Sequence, residues 1–129
     1  MFNSKQLLDS AMAYSASQGY AMSIAIVDDG GFLLEFNRAS NAAKGTVDVA
    51  IKKARASAMF TLPSGQFGDL VRQAELQGME QTNGGLCLFP GGVPVRDGKH
   101  VVGAIGVSGG SAEQDLEVAE YALAQRNGA

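Results

Sequence analysis

At 129 residues the chain has the size of one domain, long enough to bury roughly two thirds of its unfolded surface in a single core. Hydrophobic residues make up 46% and charged residues 18%, which excludes the charged, apolar-poor composition of disordered chains. Ten Lys and Arg against thirteen Asp and Glu leave a net charge of −3, which removes the basic footprint of a nucleic-acid binder, while one Cys and one His exclude an intrachain disulfide, multi-Cys metal centres and two-His metal motifs.

No apolar stretch approaches ~18 uninterrupted residues, and no basic-then-apolar pattern opens the chain. The sequence therefore predicts neither a membrane span nor a signal peptide, and a cytoplasmic location. The 17 glycines are about twice the usual ~7% share. They are grouped beside strand-like segments, at Gly30-Gly31, Gly84-Gly85, Gly91-Gly92 and the run Gly103, Gly106, Gly109, Gly110. Turns and close backbone approaches account for such grouping better than flexible linkers do.

Asn3 with Gln6 reads as a helix cap with a partial capping box; Leu7, Leu8, Ala11, Met12 and Ser15 mark one helical face, and Gly19 stops the helix. Alternating residues from Met22 to Val27, the turn Asp28-Asp29-Gly30-Gly31 and the run Phe32 to Arg38 predict a β-hairpin. Its second strand would carry Phe32, Leu34, Phe36 and Arg38 on one face. From Lys44 to Phe60, Val47, Ala50, Ile51, Ala54 and Ala58 recur at helical spacing, with Asp48 and Lys52 as an i,i+4 pair. Pro63 interrupts, and Ser64 would cap a short helix to about Gln77. Leu86–Phe89, Val93–Arg96 and His100–Ser108 read as three strands, with Pro94 placing the middle one at an edge or irregular position. Ser111 and Gln114 form a capping box for a last helix carrying Ala112, Leu116, Ala119 and Leu123. The expectation is a single α+β domain over residues 1–129, a five-stranded antiparallel sheet flanked by helices in the order αββααβββα.

The strongest candidate site is the strand-to-helix turn Ser108-Gly109-Gly110-Ser111, where free amides and the positive end of a helix dipole would suit a carboxylate or phosphate. The competing reading is an ordinary glycine turn. Neither a Walker loop nor the dinucleotide fingerprint is present. Arg38, on an apolar face, either snorkels off the sheet end or meets an anion. Lys53 flanks the alanine stripe, as a solvated residue or facing a pocket. Asp115 sits one turn into the last helix, where it complements the dipole or moves protons. His100 follows a tight turn, exposed or functional, and Cys87 reads as a small core residue.

Taken together, Ile24-Ala25-Ile26-Val27-Asp28-Asp29-Gly30-Gly31 with Arg38, Ala50-x-x-Lys53-Ala54, Gly91-Gly92-x-Pro94 with Asp97-Gly98, and Val102-Gly103-Ala104-Ile105-Gly106-Val107-Ser108-Gly109 with Asp115 resemble the haem-binding and glycolate-operon family called GlcG/HbpS, which includes the carboxy-terminal domain of PduO-type corrinoid adenosyltransferases. The resemblance spans nearly the whole chain. It implies a profilin-like α+β domain, commonly a homo-oligomer, with several members binding haem and some relatives acting as lyases on hydroxylamino-aromatic acids. It also places a hydroxyl residue of Thr61-Leu62-Pro63-Ser64 as a candidate ligand.

Three functional expectations follow. The first is a cytoplasmic homo-oligomer binding haem or a related planar acidic ligand through Arg38, Lys53, Ser64, Gly91, Gly92, Ser108, Gly109, Gly110 and Ser111, with no nucleic acid, membrane or protein-held metal ion. The second is a small lyase or isomerase on an organic or aromatic carboxylate, with Ser64, His100 or Asp115 moving protons. The third is an assembly partner in a larger metabolic complex.

Overall fold

Asn3 caps the first helix as its position predicts, accepting the Gln6 amide on its side-chain oxygen at 3.0 Å, and Gly19 ends it with φ +75°. From this start the computed structural model, which describes residues 2–128, runs α1 (Ser4–Ser17), β1 (Ser23–Asp28), β2 (Leu33–Arg38), α2 (Thr46–Phe60), α3 (Ser64–Gln73), a 3-10 turn (Met79–Gln81), β3 (Gly92–Asp97), β4 (His100–Ser108) and α4 (Ala112–Gly128). All pairings are antiparallel, in the order β2-β1-β4-β3. Helices α1 and α4 cover one face, around Ile24, Ile26, Ile105 and Val107; α2 covers the other, its Ala50, Ala54 and Ala58 against Ala25, Val27 and Ala104.

The α+β class holds, but the sheet has four strands rather than five. Leu86–Phe89 lies across α3 instead of pairing: Leu86 and Leu88 are buried with Phe67 and Val71, and a Cβ on Gly68 would fall 2.2 Å from the Leu88 carbonyl oxygen. Nor does the open edge of β3 offer a ladder. Val107 donates to the Gly91 carbonyl at 3.0 Å, which turns the backbone nitrogens of Gly92 and Pro94 outward. The Gly92 amide is taken by Ser64 Oγ at 2.8 Å, and Pro94 has no amide.

Three further expectations fail. A bulge shifts the register between Ile26–Glu35 and Val27–Leu33, so Leu34 turns to the α1/α4 side while Phe36 and Arg38 stay on the α2 side. The helix expected to reach Gln77 stops at Gln73: Glu75 adopts φ +57°, and Leu76 donates to the Val71 carbonyl at 2.9 Å, a Schellman closure without glycine. Ser64 does not cap this helix; no side chain does, and its hydroxyl points elsewhere.

Candidate functional site

The alanine stripe of α2 and the glycines of β4 act together. A Cβ on Gly106 would stand 2.1 Å from the Ala50 carbonyl oxygen and 2.9 Å from the Ala54 Cβ, so helix and sheet touch backbone to backbone. This close approach carries Lys53, one turn along α2, into the interior. It is 2% exposed, and its Nζ donates to Asp115 Oδ2 at 2.8 Å and to the Val107 carbonyl at 2.9 Å. Lys53 is therefore neither a solvated flank nor open to a pocket. Burial pushes the Asp115 carboxyl above its ordinary range, opposed by the hydrogen bond and charge of Lys53 and by the Gly110 amide.

Gly91 and Gly92 complete this node by having no side chains. A Cβ on Gly91 would lie 2.5 Å from the Val107 carbonyl oxygen and 2.9 Å from Lys53 Nζ; one on Gly92 would lie 2.4 Å from the Lys53 carbonyl oxygen and 2.7 Å from Ser64 Oγ. Ser64 is fully buried, and its hydroxyl donates to the Phe89 carbonyl at 2.5 Å while accepting from Gly92. Ser57, beside them and equally buried, has the only side-chain polar atom among the described residues that is buried without a partner. Lys53, Ser64, Gly91, Gly92 and Asp115 are thus brought together in a packed junction of α2, α3, β3, β4 and α4, with the polar side chains of Lys53, Ser64 and Asp115 already hydrogen-bonded within the chain and the Ser57 hydroxyl beside them without a partner.

The glycine turn has found its anion inside the chain. Gly110 donates its amide to Asp115 Oδ1 at 2.9 Å, and Ser111 and Gln114 close the predicted capping box at 3.0 and 3.1 Å. Gly109 packs too tightly for a side chain, its Cβ position falling 2.3 Å from the Ala21 carbonyl oxygen, and Ser108 is buried. Arg38 lies apart, exposed at the end of β2, donating to the Ala42 carbonyl at 3.0 Å and the Ser40 carbonyl at 3.3 Å. His100 is exposed at the other end of β4, about 26 Å of strand from Ser108. A bulge at Val102 interrupts the regular alternation of the strand between them. Ser64, His100 and Asp115 do not share an open site.

Open space lies beyond the β3 edge, among residues that no motif marks. A cleft of about 400 Å³ has α3 as one wall (Gln66, Asp69, Arg72), Leu116 and Glu120 of α4 as the other, and an apolar floor that includes Pro63, Phe89, Pro90 and Val93. A smaller cleft of about 190 Å³ adjoins it, sharing Arg72, Leu88 and Phe89 and reaching Cys87. Phe89 is 64% exposed between them. Reading Leu86–Phe89 as a strand concealed this ring; an aromatic residue directly before Pro90 at a chain bend was the available signal.

Among the described residues no helix is long and apolar enough to cross a membrane, and no three His, Cys, Asp or Glu side chains gather as a metal site. A family profile described as haem degrading protein HbpS-like matches residues 3–124. An uncharacterized 15.0 kDa protein in the dhaT-dhaS intergenic region of Citrobacter freundii is 37% identical over 100 residues, 76% of this chain and 70% of that one. The corrinoid adenosyltransferase PduO of Salmonella typhimurium is 34% identical over 107 residues, 81% of this chain but 32% of its own length, so the chain spans about a third of that protein. The solved PduOC:haem complex superposes with a TM-score of 0.87 at 28% identity, covering 93% of this chain and 88% of the other. By this match over nearly its whole length, the chain belongs to the HbpS-like family.

Proposed function

We propose that this chain binds haem or a related planar acidic ligand in the cleft between α3 and α4, as a cytoplasmic homo-oligomer. The observation that carries the reading is Phe89, an aromatic ring 64% exposed over an apolar floor, a position that costs solvation unless something covers it. Kinship with the PduOC:haem complex points the same way.

The residues present fit such a group. Phe89, Pro90, Val93 and Leu116 supply an apolar lining, Arg72 a guanidinium for a carboxylate, and Cys87 in the adjoining cleft a thiol, among the described residues the one soft iron donor lining either cleft. Bound haem would supply redox chemistry at its iron; the chain's part is to shield one face of the ring and to hold its acid group. The lyase reading has no comparable support, since Ser64 and Asp115 are buried in completed hydrogen bonds and His100 is remote.

Titrating hemin into the purified protein tests this. The expected result is a saturable Soret change that Leu116→Asp, in the cleft wall, abolishes while a thermal melt stays cooperative. Unspecific broadening, or binding by Leu116→Asp equal to the parent, overturns it.

A further inference from the structure

Among the described residues the cleft contains one cation, and that cation is already engaged. Arg72 Nη2 is ion-paired to Asp69 Oδ1 one turn back on α3, and both side chains are more than 60% exposed. The only other ionisable group on the cleft walls is Glu120, opposite on α4, which belongs to no ion pair among the described residues. One guanidinium thus shares the cleft with two carboxylates, Asp69 beside it on α3 and Glu120 on the opposite wall. The free β3 edge adds no amide donor at Gly92 or Pro94, because the outward amide of Gly92 is bonded to Ser64 and Pro94 has none.

On the ligand reading above, we infer that Asp69 is a specificity gate: it occupies Arg72 in the free protein, and a ligand carboxylate binds only by displacing it. Glu120 repels a second anion, so the cleft takes one carboxylate on an apolar or aromatic body and leaves any further acid group in solvent. The competition is open to exchange because an exposed i,i+3 pair is held weakly, by an amount equivalent to only about a two- to fivefold bias. Uncharged ligands of the same shape do not contact the gate.

Hemin, 2-naphthoate and neutral 2-naphthamide are titrated into the parent, Asp69→Asn, Arg72→Gln and the double variant, with thermal melts as the check on folding. Asp69→Asn is expected to tighten hemin and naphthoate about two- to fivefold and to leave naphthamide unchanged. Arg72→Gln weakens both acids, and adding Asp69→Asn to it gives no further gain, which is the coupling that displacement requires. Equal tightening with and without Arg72 overturns the gate and leaves bulk repulsion. Neutral or weaker binding by Asp69→Asn also overturns it, while hemin binding by the parent preserves the ligand reading. If none of the probes saturates the parent, the ligand reading falls and the gate falls with it.

Discussion

Replacing Lys53 by Met removes the cation from the interior and leaves the Asp115 carboxylate, 4% exposed, with the Gly110 amide as its remaining hydrogen-bond partner. Breaking one side of a buried pair costs about 3–5 kcal/mol, a large part of the ~5–15 kcal/mol that holds a typical domain together. Protonation relieves the deficit. Without Lys53, folded Asp115 keeps its proton to a higher pH than the unfolded chain, whose carboxyl has the ordinary value of 3.8. Between those values the folded state binds more protons, so stability falls as pH rises through the window and recovers as pH drops. The parent shows the same sign over a narrower window, because Lys53 opposes the shift. Urea unfolding of both proteins from neutral to mildly acid pH should therefore show a deficit of about 3–5 kcal/mol near neutrality that shrinks on acidification. Lys53→Met with Asp115→Asn should lose less than Lys53→Met alone, as Asn still accepts from Gly110. A deficit under ~1 kcal/mol, or one that grows toward acid, would refute the assignment of this pair as a buried ionic link.

Other variants probe neighbouring features. Ser57→Ala removes a buried hydroxyl with no partner, so unfolding free energy should stay level or rise by up to ~1 kcal/mol; a clear loss would mean the hydroxyl is bonded in solution. Gly106→Ala drives a methyl group into the Ala50 backbone and should cost about 1–3 kcal/mol or more, with a near-parent melt as the contrary result. Tyr14 donates to Glu117 at 2.6 Å, which pushes its phenol up to about 12; in Glu117→Gln the phenolate absorbance should titrate nearer the ordinary 10.0. Phe32 is 73% exposed beside Leu33 at the outer strand β2, and in sedimentation Phe32→Glu should shift a parent oligomer toward monomer; a parent that is already monomeric at micromolar concentration removes the premise.

Most of the fold was legible because it is written in local chemistry. Asn3 and the Ser111–Gln114 box act within three residues, and the Asp48–Lys52 pair within four, and all form as expected. Errors came where a remote segment decides. Leu86-Cys87-Leu88-Phe89 has apolar residues on both parities, which suits a fully buried strand as well as a coil pressed onto a helix. The choice between them depends on the bare backbone of Gly68, almost twenty residues earlier, receiving the Leu88 carbonyl. The bulge at Leu34 is set by β1 pairing, and it reverses a parity argument that treated the strand as regular.

The candidate site shows why glycine patterns mislead in a definite direction. A glycine marks a place where some atom comes too close for a Cβ, but the sequence does not say whose atom it is. At Gly91, Gly92, Gly106 and Gly109 the approaching atoms belong to Val107, Lys53, Ala50 and Ala21 of the chain itself, and the amide of Gly110 is met by Asp115. The pattern that suggested a cradle for a ligand is the pattern that lets one helix lie directly on a sheet with a buried ion pair at its side. An open cleft has the opposite signature: its walls come from Asp69 and Arg72, from Phe89 and from Leu116 and Glu120, three stretches with no mutual spacing rule. Only the failure of the fifth strand to form, exposing Phe89, brings them to one surface. Substitution there should change binding before it changes stability, whereas at the glycines the two must fall together.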